Sequence, residues 1–170
     1  CRHGRYQEAE QHFMLAVQDT NYLNTAGAYE NAGLCAMQIP DLAKATGYFN
    51  QAVQHDPKRA LSWLELGEIS YQQNKYQEAQ QALSRYMQLT AEPGPEALWL
   101  GVRIARQLGD NTTAGNYTLT LQSKYPNSAE YKQLLASPKP KKSNVSGLPS
   151  PRFARFVAAN FPNSISLVFS

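Results

Sequence analysis

Residues that carry chemistry are scarce in this chain. Among its 170 residues there are only two cysteines and three histidines. His3, His12 and His55 stand apart from one another, and there is no His-Glu-x-x-His, no Cys-x-x-Cys, no glycine-rich phosphate loop and no Gly-x-Ser-x-Gly. These gaps exclude the common zinc, phosphate-loop and serine-nucleophile chemistries, so neither an enzyme, a cofactor nor a metal site is expected. Apolar residues recur at helical spacing, and no run approaches the ~18 residues that a membrane helix needs.

Charge is also sparse, at 17% of residues. Residues 1–137 hold 11 Lys plus Arg against 13 Asp plus Glu, a balance of −2. The tail from Pro138 adds Lys139, Lys141, Lys142, Arg152 and Arg155 without an acid, and −2 with +5 gives the net +3. A slightly acidic body lacks the basic face that phosphate contacts require, so nucleic acid is not an expected partner.

What the chain does contain is a repeat. Ala26, Tyr29, Ala32, Gly33, Ala45, Phe49 and Ala52 recur 34 residues on as Ala60, Trp63, Leu66, Gly67, Ala79, Leu83 and Tyr86. A period of ~34 with an aromatic, then Leu-Gly or Ala-Gly, then alanine, a bulky apolar residue and a closing proline is the pattern of the tetratricopeptide repeat. Pro57 supplies the proline. Each repeat is two antiparallel helices, in which small residues permit close approach and large ones fill the remaining space. The fold class is therefore all-α, a superhelical solenoid of helix pairs. The frame gives a half repeat at 1–25, repeats at 26–59, 60–93 and 94–136, and a Pro/Ser/Lys-rich linker and tail at 137–170. In the third repeat, Ala114 arrives one residue late, which places an insertion in the turn Leu108 to Thr112.

The tail cannot bury a core. Its segment "RFARFVAANFPNSISLVF" has a basic amphipathic cast, but Pro162 interrupts it, and no site is assigned there. Cys1 falls inside the first helix of a repeat whose earlier residues are missing, so the chain is expected to be the C-terminal part of a longer protein. Cys1 and Cys35 occupy similar places on adjacent repeats, which permits a disulfide if the compartment is oxidising. The alternative is that Cys35 is a small buried apolar residue.

Such a solenoid offers a concave groove made by the first helix of each pair. In this frame the groove residues are Glu30, Leu34 and Met37, then Leu61, Leu64, Glu68 and Tyr71, then Leu98, Val102 and, beside them, Arg106. A largely apolar wall either marks a protein-binding surface, with Glu68 and Arg106 orienting the guest, or is covered by a neighbouring repeat or by the tail. Glu65 and Glu68 are read as a solvated helix face. A co-chaperone adaptor that clamps an acidic peptide would need cations in these positions, which are mostly apolar.

The segments "YENAGLC", "LGVRIARQLGD" and "YPNSAEY", within a stretch from Arg5 to Tyr131, resemble the C-terminal part of the type IV pilus biogenesis and stability lipoproteins, the PilF/PilW-type pilotins. The resemblance implies a periplasmic lipoprotein adaptor of Gram-negative bacteria, held at the outer membrane through a lipid anchor that is not in this chain. It implies the pilus secretin subunit as the partner, helped to reach the outer membrane and to assemble.

Overall fold

The computed structural model describes residues 6–18, 24–39 and 41–137, with side chains from Glu8 onward. The N-terminal residue Cys1 and the tail 138–170 lie outside the described residues. Among the described residues eight helices follow one another: α1 (Tyr6–Gln18), α2 (Thr25–Gln38), α3 (Leu42–His55), α4 (Ala60–Gln72), α5 (Tyr76–Leu89), α6 (Pro95–Gln107), α7 (Asn111–Lys124) and α8 (Ala129–Ala136). No strand occurs among the described residues. Successive helices pack as neighbours, with α2 on α3, α4 on α5 and α6 on α7 as the helix pairs. The all-α solenoid expected from the repeat is the observed fold.

Short polar residues start the helices. Asn24, Asp41, Asp110 and Ser128 each accept a hydrogen bond from the backbone N–H three residues on, satisfying one orphan donor per helix. Helix α6 opens instead on Pro95, whose missing N–H costs nothing there. The turns between α4 and α5 and between α6 and α7 pass through left-handed residues, Asn74 at φ 61° and Gly109 at φ 76°. After them the Lys75 and Asp110 N–H groups reach back to the carbonyls of Ser70 and Ala105, both at 2.9 Å.

Within a pair, small residues set the distance. Helix α2 buries Ala26, Gly27, Ala28, Ala32, Gly33, Cys35 and Ala36, and Gly33 lies directly under the ring of Phe49 on α3. Three apolar cores run along the stack. The first joins Ala36, Ala45, Phe49, Val53, Leu66 and Ile69, and the second joins Ala79, Leu83, Ala97, Leu100 and Ile104. The third joins Leu98, Val102, Leu121 and Leu134. The repeat aromatics tie pairs to their loops: Trp63 Nε1 donates to the Pro57 carbonyl at 2.9 Å, and the Tyr125 hydroxyl donates to the Pro93 carbonyl at 3.0 Å.

Two features depart from the sequence frame. The turns Gln73–Lys75 and Leu108–Asp110 have the same length, so no insertion sits in the latter. The extra residue falls earlier: residues 90–94 join α5 to α6, one more than the 56–59 that join α3 to α4. The segment 94–136 is also more than a helix pair, because Ser128 caps a further helix, α8, which packs on α6 and α7.

Candidate partner-binding groove

That last helix decides which first-helix residues remain accessible. Leu98 and Val102 were expected on the open wall. Instead they are 3% and 0% exposed, because Leu134 of α8 and Leu121 of α7 complete a core around them. They belong to the interior, and their place in the groove is corrected accordingly. Arg106 is likewise structural: its Nη1 donates to the Ser137 hydroxyl at 2.9 Å, and Ser137 Oγ in turn donates to the Leu134 carbonyl at 2.7 Å, fastening the end of α8.

At the other end of the stack, Leu34 and Met37 pack against the first core. Glu30 is held between repeats, accepting from Ser62 Oγ at 2.8 Å and facing Arg59 Nη1 at 3.4 Å. Arg59 also donates to Asn24 Oδ1 at 2.6 Å. This network clips the start of α2 to the start of α4, and none of its members is free to hold a guest.

What stays open is a groove of ≈ 510 Å³ lined by Leu61, Leu64, Glu65, Glu68, Glu96, Trp99, Arg103, Glu130 and Gln133. Every lining residue comes from α4, α6 or α8, so the groove follows the first-helix wall and is bounded by the terminal helix. Of the ten groove residues expected from the repeat frame, Leu61, Leu64 and Glu68 line it. Leu61, Glu65 and Glu68 recur at helical spacing on α4 and present one stripe. Leu61 is 40% exposed, whereas Leu64 rests partly on the second core.

The centre of the groove is a residue the repeat frame passed over. Arg103 donates to both Glu68 oxygens, at 3.1 Å and 2.5 Å. Its guanidinium lies 4.7 Å from the Tyr71 ring centroid and 5.7 Å from that of Trp99. The bidentate pair and the two aromatic faces fix the arginine, so Tyr71 acts by positioning Arg103. The signal available in the sequence was the pairing of Glu68 with an arginine one repeat later, at 103.

The wall is not uniformly apolar, and Glu65 is not on a solvated face. Burial raises the Glu65 carboxyl above its ordinary value, and the neighbouring carboxylates Glu68 and Glu30 push it further up. A leucine and tryptophan floor is therefore edged by Glu65, Glu68, Glu96 and Glu130, with Arg103 already engaged by Glu68. Among the described residues no group of His, Cys, Asp and Glu is placed to hold a metal ion.

A second depression of ≈ 550 Å³ lies between α3, α4 and α5. Thr46, Asn50, Gln81 and Arg85 line it together with Trp63 and Leu66. Near the first helices, the buried Glu10 accepts from Lys44 Nζ at 2.7 Å and from the Tyr48 hydroxyl, joining α1 to α3. Burial alone would raise the Glu10 carboxyl, but these two donors more than offset it and hold it below its ordinary value. Cys35 is fully buried and is not a free thiol, while Cys1 lies outside the described residues. His55 stacks on Tyr29 with ring centroids 5.5 Å apart.

Known proteins give the same picture of the fold. Profiles of the tetratricopeptide repeat match residues 2–60 and 40–97. The type IV pilus assembly protein PilF of Pseudomonas aeruginosa (strain PAO1) is 34% identical over 135 residues, which is 78% of this chain and 52% of that protein. The solved structure of Pseudomonas aeruginosa PilF superposes with a TM-score of 0.73 at 32% identity, over 78% of this chain and 59% of that one. The crystal structure of PilW, a widely conserved type IV pilus biogenesis factor, gives a TM-score of 0.69 at 25% identity, covering 79% of this chain and 61% of that one. The chain thus spans about half the length of its curated relative.

Proposed function

Because this chain belongs to the tetratricopeptide-repeat family and is homologous to the type IV pilus assembly protein PilF, we propose that it is a non-catalytic protein-binding adaptor in type IV pilus biogenesis. It works in the bacterial cell envelope, on the periplasmic side of the outer membrane, where it assists localisation and assembly of the pilus secretin. The partner lies along α4, α6 and α8, with an apolar side chain over Leu61, Leu64 and Trp99.

The observation that carries this reading is the groove itself, an indentation whose floor is leucine and tryptophan in a chain otherwise short of reactive groups. A carboxylate-clamping adaptor is disfavoured, since Arg103 is engaged by Glu68 and Arg106 by Ser137. The test is co-purification of the secretin with the wild type and with Leu61→Glu, which places a charge on an exposed position of the floor. The expected result is loss of the secretin with unchanged circular dichroism. Undiminished co-purification would remove the groove from the binding surface.

A further inference from the structure

The groove also specifies the charge of what it holds. Four carboxylates edge it and one cation enters it, and that cation is spent on Glu68. Glu96 and Glu130 stand in the first turns of α6 and α8, where the helix dipole favours a carboxylate without any guest. Glu65 has no such explanation. It sits in the middle of α4, one turn from Leu61, half-buried, and its charged neighbours are the carboxylates Glu68 and Glu30. A carboxylate so placed is unfavourable in the free protein and favourable once a cation arrives, because the same burial that penalises it alone strengthens a pair. An anionic guest would meet three unpaired acids, and the one arginine there is already engaged by Glu68.

We infer that the groove between α4, α6 and α8 takes a cationic amphipathic segment of its partner, which seats one apolar side chain on Leu61 and Trp99 and brings a lysine or arginine onto Glu65. This rests on the reading of the groove as the partner surface and adds the chemistry of the guest. Leu61 and Glu65 share one face a single turn apart. A guest helix with an apolar residue and a cation three or four positions apart matches that spacing.

The test uses two synthetic 14-residue amphipathic peptides, one of leucine and lysine and one with glutamate at every lysine position. Each is titrated calorimetrically into the full chain. The leucine–lysine peptide is expected to bind, with an affinity that falls as salt rises, and the glutamate peptide to bind at least about tenfold more weakly. Glu65→Gln should weaken the lysine peptide roughly tenfold. That variant loses a desolvated, self-repelling charge, so it is expected to melt no lower than the wild type. The double variant Glu78→Gln with Glu92→Gln removes two carboxylates that do not line the groove, and should leave the affinity within about twofold. Equal affinity for both peptides would overturn the inference. So would an equal loss in the double variant, since attraction to an acidic protein at large would then suffice. Secretin loss in Leu61→Glu with no binding of the lysine peptide would retain the adaptor and reject the cationic guest.

Discussion

Replacing Gly33 and Gly47 separately by alanine tests the packing on which the wall depends. Both glycines are interior to helices, and on propensity alone each replacement should stabilise by ~1 kcal/mol. Their surroundings differ. A Cβ at Gly33 would lie 2.7–2.9 Å from three carbons of the Phe49 ring, against the ~3.5–4.0 Å at which carbon atoms rest in contact. Phe49 is fully buried in the first core, so its ring cannot withdraw without disturbing Val53, Leu66 and Ile69. Overpacking of this kind costs ~1–3 kcal/mol, which reverses the propensity gain and leaves Gly33→Ala neutral to ~2 kcal/mol less stable. At Gly47 nothing lies within 4 Å of the added methyl, so Gly47→Ala keeps its ~1 kcal/mol gain. Urea denaturation followed by circular dichroism should separate the two midpoints by roughly 0.5–2 M, given a slope near ~1–3 kcal/mol/M. Equal stabilisation by both replacements would refute close packing of α2 on α3.

Further outcomes follow from the same contacts. Leu134→Ala should destabilise by ~2–5 kcal/mol, since it empties the seat of α8 on Leu98 and Val102; a neutral effect in thermal melts would mean that α8 does not close the stack. Val102→Glu should lose helix content, because it places a charge in the same core, whereas Leu61→Glu should keep it. Glu65→Gln should stabilise at neutral pH. The raised Glu65 carboxyl destabilises the folded state as pH climbs from the ordinary 4.5, so the advantage should vanish below that value in melts at stepped pH. Glu10 has the opposite sign: its lowered carboxyl contributes stability above the ordinary 4.5 that is lost as pH falls through the folded value, and Glu10→Gln should flatten that acid limb. We further propose that Cys1 and Cys35 are joined, which a non-reducing peptide map would reveal as a linked pair; reduction should then cost roughly 3–4 kcal/mol, and an unchanged denaturation midpoint would count against it.

The helix pairs were legible in the sequence because their contacts are local and periodic. Gly33 under Phe49 and Gly101 under Tyr117 follow from small and large residues at fixed offsets. The frame could not foresee which first-helix residues stay uncovered. Leu98 and Val102 occupy groove positions by spacing, yet Leu134, more than thirty residues on, buries them. A helix of eight residues, Ala129–Ala136, is too short for periodicity to announce it, and Ser128 was its only clear start signal. Arg103 was overlooked for a related reason. Its role depends on Glu68 and Tyr71 of the preceding repeat, and spacing within one helix does not report a partner on another. Glu65 reads as a surface acid on its own helix, and only packing between helices makes it half-buried.

Site-specific photo-cross-linking addresses the central claim most directly. A photoreactive amino acid is placed at Leu61 in the groove, and separately at Gln81 in the second depression, between α3, α4 and α5. The account predicts a secretin adduct from position 61 and none from position 81. An adduct from 81 alone would contradict it.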